Sequence, residues 1–423
     1  MKFRTNKDVK IIFSVTSGNF LEMYDFAIYG FYAVFIARIF FPAENEFISL
    51  MQSFIVFGAG FLMRPFGAVV LGAYMDKYGR RNGLIVTLAI MAIGTVSIAL
   101  CPGYESIGIL APVIVLLGRL LQGFAAGAEI GGVSVYLAEI APKNLRGFYV
   151  SWQSGSQQIA TIFAGMVGVA LHYLVGDFIM QEWGWRIPFI LGCLIVPYFF
   201  YIRRILDETP QFKHANKYNQ LTFSSIFESI RENITTVIFS IMFVMMTTVT
   251  FYFLTSFTPT YVNQFLHFSQ LESFLITVII GLSSLFWLPI SGYLSDRIGR
   301  KPIALLMTVL GVISAYPVLV FLAHNISFKN LVFTELWFSF LFGAYNGVMV
   351  VSLSEIMPPN VKALGFSFSY SITVAIFGGF TPAISTFLTQ KLNNPAAPGF
   401  WLTFAAFCSF VSALILFKKK WNL

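Results

Sequence analysis

Long apolar stretches recur along the whole chain and are separated by short polar segments. Each stretch is close to the roughly 20 residues that a helix needs to cross about 30 Å of hydrocarbon. Twelve membrane-spanning helices, called spans 1 to 12, are predicted at 13–38, 50–75, 83–101, 109–139, 148–175, 186–203, 235–258, 273–294, 303–323, 331–356, 365–389 and 399–417. The pattern therefore predicts an all-α integral membrane protein.

A charged and polar stretch divides the first six spans from the last six. It predicts an N-terminal six-helix bundle over 1–202, a cytoplasmic linker over 203–233 and a C-terminal six-helix bundle over 234–423. An internal repeat supports the division: GAYMDKYGRR from Gly72 follows span 2, and GYLSDRIGRK from Gly292 follows span 8. Gly72, Gly79, Gly292 and Gly299 in this repeat are expected to allow close packing and sharp turns. Two related halves of this kind place a substrate at their interface near the membrane midplane.

The charge of the chain fits this topology. Hydrophobic residues make up 57% of the sequence and charged residues only 11%, whereas soluble domains carry about a quarter. The net charge is +8, and 21 of the 27 Lys and Arg residues fall at the termini and on the even-numbered loops. The positive-inside rule then places both termini in the cytoplasm. The basic excess specifies orientation in a lipid bilayer, and no nucleic-acid partner is expected.

The sequence contains no pattern that indicates an enzyme. The three Cys and four His residues are scattered, and no HExxH, GxSxG or Walker A pattern occurs. No metal, no cofactor and no catalytic residue is therefore expected.

Five ionisable residues are predicted to lie at membrane depth, and all are in the first half: Glu22, Asp25, Arg64, Arg119 and Glu129. Charged groups there are costly unless they face a cavity and find partners, so each is a functional candidate. No ionisable residue is expected well inside a span of the second half. Anion binding and proton chemistry are therefore expected on the N-terminal bundle, with neutral contacts and movement supplied by the C-terminal bundle.

Span 1 carries a polar stripe formed by Asn19, Glu22, Asp25 and Tyr29. Their spacings of 3, 3 and 4 place them on one helical face. Asp25 lies about 22 Å of helix beyond Lys10, too deep for its short side chain to reach the headgroups. The stripe is expected to face the cavity.

Arg64 is the first candidate for binding a substrate carboxylate. It lies about 18 Å along span 2 from Asp76, and an arginine can grip a carboxylate in two places. The alternative is a structural residue stabilised by carbonyls beside Pro65. Arg119 is a second candidate, since a dicarboxylate or tricarboxylate could match two arginines.

Neutral polar side chains can complete the pocket. Gln153 and Gln157 are four residues apart in span 5, Tyr252 lies on a polar face of span 7, and Tyr345 and Asn346 interrupt span 10. Hydrogen bonds between packed helices are an alternative role for each of them. The predicted substrate-binding set is Arg64, Arg119, Asn19, Tyr29, Gln153, Gln157, Tyr252, Tyr345 and Asn346.

Several motifs resemble the major facilitator superfamily. The doubled GxxxDxxGR(R/K) loops, Arg119 followed by LLQG, and the pairs Glu139 with Arg146 and Glu355 with Lys362 carry the resemblance across both halves. The strings SGNFLEMYDFAIYGFY, EWGWRIPF and GGFTPAIST resemble the metabolite:proton symporter branch, and within it the citrate and tricarballylate proton symporters. This resemblance implies the major facilitator fold and proton-driven transport.

The resemblance also implies a proton-coupling pair. The setting of Asp25 is similar to that of the coupling carboxylate in proton-driven sugar porters, whose partner is the arginine of span 4. Asp25 is therefore expected to pair with Arg119, with Glu22 and Glu129 as further candidates for the coupled proton. A fixed buried ion pair, or a structural carboxyl in the case of Glu129, is the alternative. If substrate and Asp25 compete for Arg119, protonation of Asp25 frees the arginine for the anion.

Charged residues at the cytoplasmic ends of the spans resemble the superfamily's inner gate. The set is Asp76, Arg80, Glu139, Arg146, Asp296, Arg300, Glu355 and Lys362. Solvated charges that merely set topology are the alternative.

The expected function is import of citrate or a related tricarboxylate or dicarboxylate by a proton symporter. The expected partners are a small organic acid, protons and the lipid bilayer, with the chain acting as a monomer in the bacterial cytoplasmic (inner) membrane. Uptake of a zwitterionic osmolyte such as betaine or proline, or export of organic acids, is the alternative.

Overall fold

The chain folds almost entirely into helix, since inside a bilayer each backbone polar group must find a partner within its own segment. The computed structural model describes residues 6–78, 80–127, 130–205, 231–357 and 362–418, and no strand occurs among them. Its α-helices are α1 (Asn6–Phe31), α2 (Ala33–Phe40), α3 (Glu46–Leu62), α4 (Arg64–Tyr78), α5 (Arg80–Leu100), α6 (Tyr104–Ile107), α7 (Leu110–Ala126), α8 (Ile130–Ile140), α9 (Arg146–Val175), α10 (Asp177–Glu182), α11 (Ile187–Ile205), α12 (Ile234–Tyr252), α13 (Thr258–Thr260), α14 (Gln270–Ile298), α15 (Arg300–His324), α16 (Phe328–Ile356), α17 (Lys362–Thr373), α18 (Thr381–Lys391) and α19 (Pro398–Leu416).

These helices account for the predicted spans. Within the described residues, eight helices are long and apolar enough to cross a membrane, and α1 with α2 forms a ninth span bent by 66°. Three shorter apolar helices, at Ile85–Leu100, Leu110–Ala126 and Gly184–Pro197, correspond to spans 3, 4 and 6. The prediction of a twelve-helix, multi-pass membrane protein is confirmed. The predicted span 4 at 109–139 corresponds to two described helices, α7 and α8, on either side of residues 128 and 129.

Close helix contacts hold together the two spans that carry the intramembrane arginines. A Cβ atom on Gly123 would lie 1.7 Å from the Gly60 carbonyl oxygen, and one on Gly127 would lie 2.0 Å from the Arg64 carbonyl oxygen. Spans 2 and 4 therefore touch backbone to backbone, which only glycine permits. Arg64 and Arg119 project from this pair of helices.

A cavity of about 450 Å³ opens at one face of the molecule and is called the vestibule. Its lining includes Arg38 and Glu46 from the first half, with Gln264, Phe265 and Gln390 from the second. Arg38 and Glu46 form an exposed ion pair of 3.1 Å there.

The two halves meet at the opposite face, called the gate face, where α9 begins and α14 ends. A Cβ atom on Gly147 would lie 2.3 Å from the Gly292 carbonyl oxygen. Gly299 has a φ of +94°, the turn conformation that glycine favours. Gly72 shows no such packing, because a Cβ atom there would meet nothing within 4 Å among the described residues, and Gly79 lies outside them.

Candidate functional site

Four charged side chains lie buried together in the first half. Glu22, Asp25 and Arg64 are each 3% exposed, and Arg119 is fully buried. Charges at this depth are retained when they pair with one another or serve a transported ion. Spans 1, 2 and 4 supply them, as the sequence predicted.

A small polar network holds Asp25 and Arg119. Arg119 Nη1 lies 3.6 Å from Asp25 Oδ2. Thr95 Oγ1, on span 3, donates a 2.8 Å hydrogen bond to Asp25 Oδ1. Gln122 connects the two, because its Oε1 accepts a 2.6 Å bond from Arg119 Nη1 and its Nε2 donates a 3.1 Å bond to Thr95.

Arg64 forms a buried ion pair with Glu22. Arg64 Nη2 donates directly to Glu22 Oε1, one helical turn along the span 1 stripe from Asp25. The stripe therefore presents two carboxylates to two arginines. Substrate binding through Arg64 must compete with Glu22, a partner that the sequence analysis did not assign to it.

Aromatic rings enclose both guanidinium groups. The Phe26 ring centre lies 5.2 Å from the Arg64 guanidinium carbon and 5.3 Å from that of Arg119. Tyr29 presents its ring face to Arg119 at 3.8 Å, and Phe61 lies 4.8 Å from Arg64. Cation–π contacts of this kind stabilise a cation that has little water. Both guanidinium carbons therefore lie within 5.3 Å of the centre of the same ring.

Two tyrosines of the second half lie at this site. The Tyr252 ring lies 5.1 Å from Phe61 and 6.2 Å from Phe57. Tyr370, on α17, interacts electrostatically with Arg64 and Glu22, as does Tyr252. Tyr252 thus lies where the sequence predicted, whereas Tyr370 was missed.

The remaining predicted pocket residues are buried but differ in what they contact. Tyr29 donates to the Ser53 carbonyl at 3.1 Å, and Tyr345 donates to the Phe243 carbonyl at 2.7 Å. Tyr345 therefore has a packing hydrogen bond within the second half. Gln157 is 7% exposed, and Asn346 is 2% exposed with an Oδ1 that lacks a partner among the described residues.

Several buried N–H groups of the two arginines and of Asn19 and Gln153 lack hydrogen-bond acceptors within the described part of the chain. They are Arg119 Nε and Nη2, Arg64 Nε, Asn19 Nδ2 and Gln153 Nε2. Buried donors are normally satisfied, so a set of this kind suits an anion with several oxygens. No group of three or more His, Cys, Asp or Glu side chains that could hold a metal ion was found among the described residues.

A second charge cluster closes the gate face. Asp296 accepts hydrogen bonds from the backbone N–H groups of Gly147 and Phe148, at 2.9 and 3.1 Å, at the start of α9. Arg300 donates to Asp296 at 2.7 Å and to both carboxylate oxygens of Glu355, at 3.2 and 3.3 Å. The structure therefore brings three of the predicted gate residues together within the second half, and Asp296 joins them to the first half through the N-terminus of α9.

The other predicted gate residues are placed differently. Glu139 is exposed, and Arg146 is partly buried at the start of α9. The side chains of Asp76, Arg80 and Lys362, and the predicted proton-coupling residue Glu129, lie outside what the structure describes.

Comparison with known proteins assigns the family. The family model described as "Sugar (and other) transporter" matches residues 10–220 and 211–420, which is nearly the whole chain. The chain belongs to this transporter family of the major facilitator superfamily. It is a transporter and not an enzyme.

Two curated relatives are similar over almost their full length. The chain is 51% identical to the "Citrate-proton symporter" of Klebsiella pneumoniae over 97% of this chain and 92% of the relative. It is 52% identical to the "Citrate-proton symporter" of Salmonella typhi over 96% and 94%. A solved structure, the partially occluded inward-open conformation of the xylose transporter XylE from E. coli, has a TM-score of 0.77 at 19% identity and covers 98% of both chains. It shows the fold, and the prediction of the major facilitator fold is confirmed.

One expectation about this transporter is wrong: the second half does hold an ionisable group well inside a span. Glu335, on α16, is fully buried. The predicted span 10 began at 331, which placed Glu335 near a membrane surface, whereas the helix begins at Phe328 and buries Glu335 on one face with Thr334 and Phe338.

Sequence reasoning also missed the partners of the charged groups. Gln122 and Phe26 lie in stretches that carry the family resemblance but were given no role, and Thr95 lies in no motif. Gln122 could have been found, since it lies three residues beyond Arg119 on the same helical face. Thr95 lies on another span, and its proximity to Asp25 depends on how the helices pack.

Proposed function

We propose that this transporter is a proton-coupled symporter that imports citrate, or a closely related tricarboxylate or dicarboxylate, by alternating access. One observation carries the proposal: two buried arginines flank the same ring and retain N–H groups without acceptors among the described residues. The high identity to two citrate–proton symporters over nearly the whole chain supports the choice of substrate.

Substrate binding uses the two arginines in place of their present carboxylate partners. One carboxylate of the substrate pairs with Arg64 and displaces Glu22, and another pairs with Arg119 beside Asp25. Arg–carboxylate pairs are strong because two parallel N–H···O bonds can form. Asn19 and Gln153 donate further hydrogen bonds to the substrate, while Tyr252 and Tyr370 close over it from the second half.

Proton coupling follows from competition for positive charge. While Asp25 is ionised, it attracts Arg119 across 3.6 Å and the substrate anion meets a neutralised site. A proton on Asp25 removes that attraction and leaves Arg119 positive and free for the anion. Proton and substrate therefore favour each other's binding, which is the thermodynamic linkage that symport requires.

Alternating access moves the two six-helix bundles about this site. In the structure, the Asp296–Arg300–Glu355 cluster ties the bundles together at the gate face. We assign the gate face to the cytoplasm and the vestibule to the outside, with both termini cytoplasmic in the bacterial inner membrane. Opening the cluster releases substrate and proton inward, and no cofactor is needed because the proton gradient supplies the energy. The transporter acts as a monomer, since each chain carries a whole site.

The experiment is a binding panel on purified protein by isothermal titration calorimetry. Citrate, tricarballylate, succinate and glycine betaine are titrated at several pH values, each in buffers of different ionisation enthalpy. We expect citrate and tricarballylate to bind with uptake of protons from the buffer and betaine to leave the heat unchanged. Binding of betaine without citrate would reject the substrate assignment, and citrate binding with no proton uptake at any pH would reject the coupling.

A further inference from the structure

A carboxyl group lies buried in the second half, apart from the four charged residues of the first half. Glu335 projects from the second turn of α16 and is fully buried. Its Oε1 lies 3.4 Å from the Thr258 hydroxyl oxygen, and its Oε2 has no hydrogen-bond partner among the described residues. The group therefore has one polar contact in an otherwise apolar setting.

Thr258 is the polar contact of Glu335, and it shares its hydroxyl proton between two acceptors. Thr258 Oγ1 lies 3.4 Å from Glu335 Oε1 and 3.0 Å from the Phe253 carbonyl oxygen. A hydroxyl has a single proton, so only one of these oxygens receives it at a time. One shared donor is too little to stabilise an ionised buried carboxylate, which favours the protonated acid.

The charges around Glu335 agree with a neutral acid. No Lys, Arg or His lies within 4.0 Å of its carboxylate among the described residues, in contrast to Glu22 and Asp25. Tyr261, on the same segment as Thr258, interacts electrostatically with Glu335.

Other ionisable side chains lie at this end of the helices packed around Glu335. They are Glu272 on α14, His324 on α15, His172 on α9 and the exposed Lys329 on α16 itself. Glu272 is held by Ser269, and His324 contacts the Val320 carbonyl. An ionised Glu335 would be a buried charge without a counterion, which is highly unfavourable.

Thr258 lies in the most irregular part of span 7. Helix α13 has three residues and is flanked by two π-helical turns, Phe253–Phe257 and Tyr261–Phe265. The second of these turns supplies Phe265 and Gln264 to the lining of the vestibule. Turns with i→i+5 bonds are often found at functional sites, and a change to regular helix would rotate the residues beyond them. Movement of this segment away from α16 would open the Glu335 carboxyl to vestibule water.

We infer that Glu335 is a second proton-binding site, located in the second half and loaded in the closed arrangement of span 7 against α16. Glu335 takes its proton from vestibule water while the vestibule end of span 7 is apart from α16 and holds it in the closed arrangement. When the gate face opens, the proton passes to water on that side, leaving a carboxylate and a hydronium ion. This inference rests on the proposed proton symport and adds a proton to it, separate from the proton at Asp25.

The first test is infrared difference spectroscopy of the purified full-length protein during a pH change. The native protein should show a carboxylic-acid C=O band that is lost in Glu335→Gln. The band should be kept in the control variant Glu272→Gln, which removes a carboxyl at the same end of a neighbouring helix. Glutamine matches a protonated glutamate in shape, so the variant should fold. Should it fail to fold, Thr258→Val is measured instead, and the band should shift because its hydrogen bond is lost. If the acid bands of the native protein are unchanged in Glu335→Gln, the inference is overturned. If Glu335→Gln does not fold and Thr258→Val leaves the acid band unmoved, the inference is overturned as well.

The second test counts protons per citrate from accumulation in liposomes at defined pH gradients and membrane potentials. Glu335→Gln should move one proton fewer per citrate than the native protein and Glu272→Gln. An unchanged ratio would show that Glu335 is structural. If the native protein transports no citrate but the infrared band is present and depends on Glu335, the proton site stands and the proposed function fails.

Discussion

Arg119 Nη1 lies 3.6 Å from Asp25 Oδ2, while the other oxygen of Asp25 accepts a hydrogen bond from Thr95. A separation of 3.6 Å is too long for a hydrogen bond, so the two charges attract without being locked to each other. Arg119 is held in place instead by Gln122 and by the ring of Tyr29. The arrangement allows a proton or a substrate carboxylate to replace one member of the pair without moving the other.

Neutralising Asp25 should separate exchange from accumulation. In Asp25→Asn the side chain keeps its size but binds no proton, and Arg119 stays available to the anion. We expect citrate exchange across liposomes to continue, while uphill uptake driven by a proton gradient falls well below that of the native protein, because no proton moves at Asp25. The measurement is counterflow against gradient-driven accumulation in the same preparation. Accumulation equal to that of the native protein would move the coupled proton to another carboxyl, of which Glu22 and Glu335 are the next candidates.

Removing Arg64 should weaken citrate binding. Arg64→Gln deletes a buried charge-assisted pair with the substrate, and a loss of about 100-fold in affinity, or about 2.7 kcal/mol, is expected. Arg38→Gln, in the exposed pair at the vestibule, is the control and should bind within about threefold of the native protein. Calorimetric titration gives both values.

The variant Glu22→Gln, which neutralises the ion-pair partner of Arg64, distinguishes a substrate-binding role of Arg64 from a structural one. If Arg64 binds substrate, removal of its competing carboxylate should leave citrate affinity unchanged or higher. If the pair only holds spans 1 and 2 together, Glu22→Gln should impair binding and thermal stability as much as Arg64→Gln does. The second outcome would contradict the site described here.

Loss of charge at Asp296 should open the gate face. Asp296→Asn removes the carboxylate that accepts from Gly147 and Phe148 and pairs with Arg300. We expect transport to fall by about tenfold while equilibrium citrate binding stays within about threefold, because the cluster lies away from the arginines. Glu139→Gln, at an exposed side chain, should change neither. Lost binding in a correctly inserted Asp296→Asn protein would argue against a gating role.

A large side chain at position 147 should prevent closure of the gate face. A Cβ atom there would lie 2.3 Å from the Gly292 carbonyl oxygen, so Gly147→Leu cannot adopt the closed arrangement. Cysteines placed near the gate face should label faster in this variant, and transport should be abolished. Gly72→Ala is a control, since a Cβ atom at Gly72 meets nothing within 4 Å among the described residues. Equal labelling rates in Gly147→Leu and the native protein would contradict the assigned contact.

The sequence was sufficient to predict features that depend on one helix at a time. Hydropathy predicted the spans, and helical spacing placed Asn19, Glu22, Asp25 and Tyr29 on one face. Contacts between helices could not be predicted in this way. The Glu22–Arg64 pair, the Thr95 hydroxyl on Asp25 and the approach of both arginines to the ring of Phe26 follow from how spans 1 to 4 pack. Glu335 was missed for the same reason, because its burial depends on where α16 starts and on the helices around it. The two glycines of the repeat show a further limit of prediction from sequence. Gly292 is packed against Gly147, whereas a Cβ atom on its counterpart Gly72 meets nothing within 4 Å among the described residues.

Uptake of labelled citrate by liposomes containing the purified protein tests the central claim most directly. An inward proton gradient should drive accumulation of citrate above its equilibrium level, a protonophore should abolish that accumulation, and unlabelled tricarballylate should compete. Citrate uptake that is unaffected by the gradient and the protonophore, or no uptake of any carboxylate by a protein that binds citrate, would contradict the account.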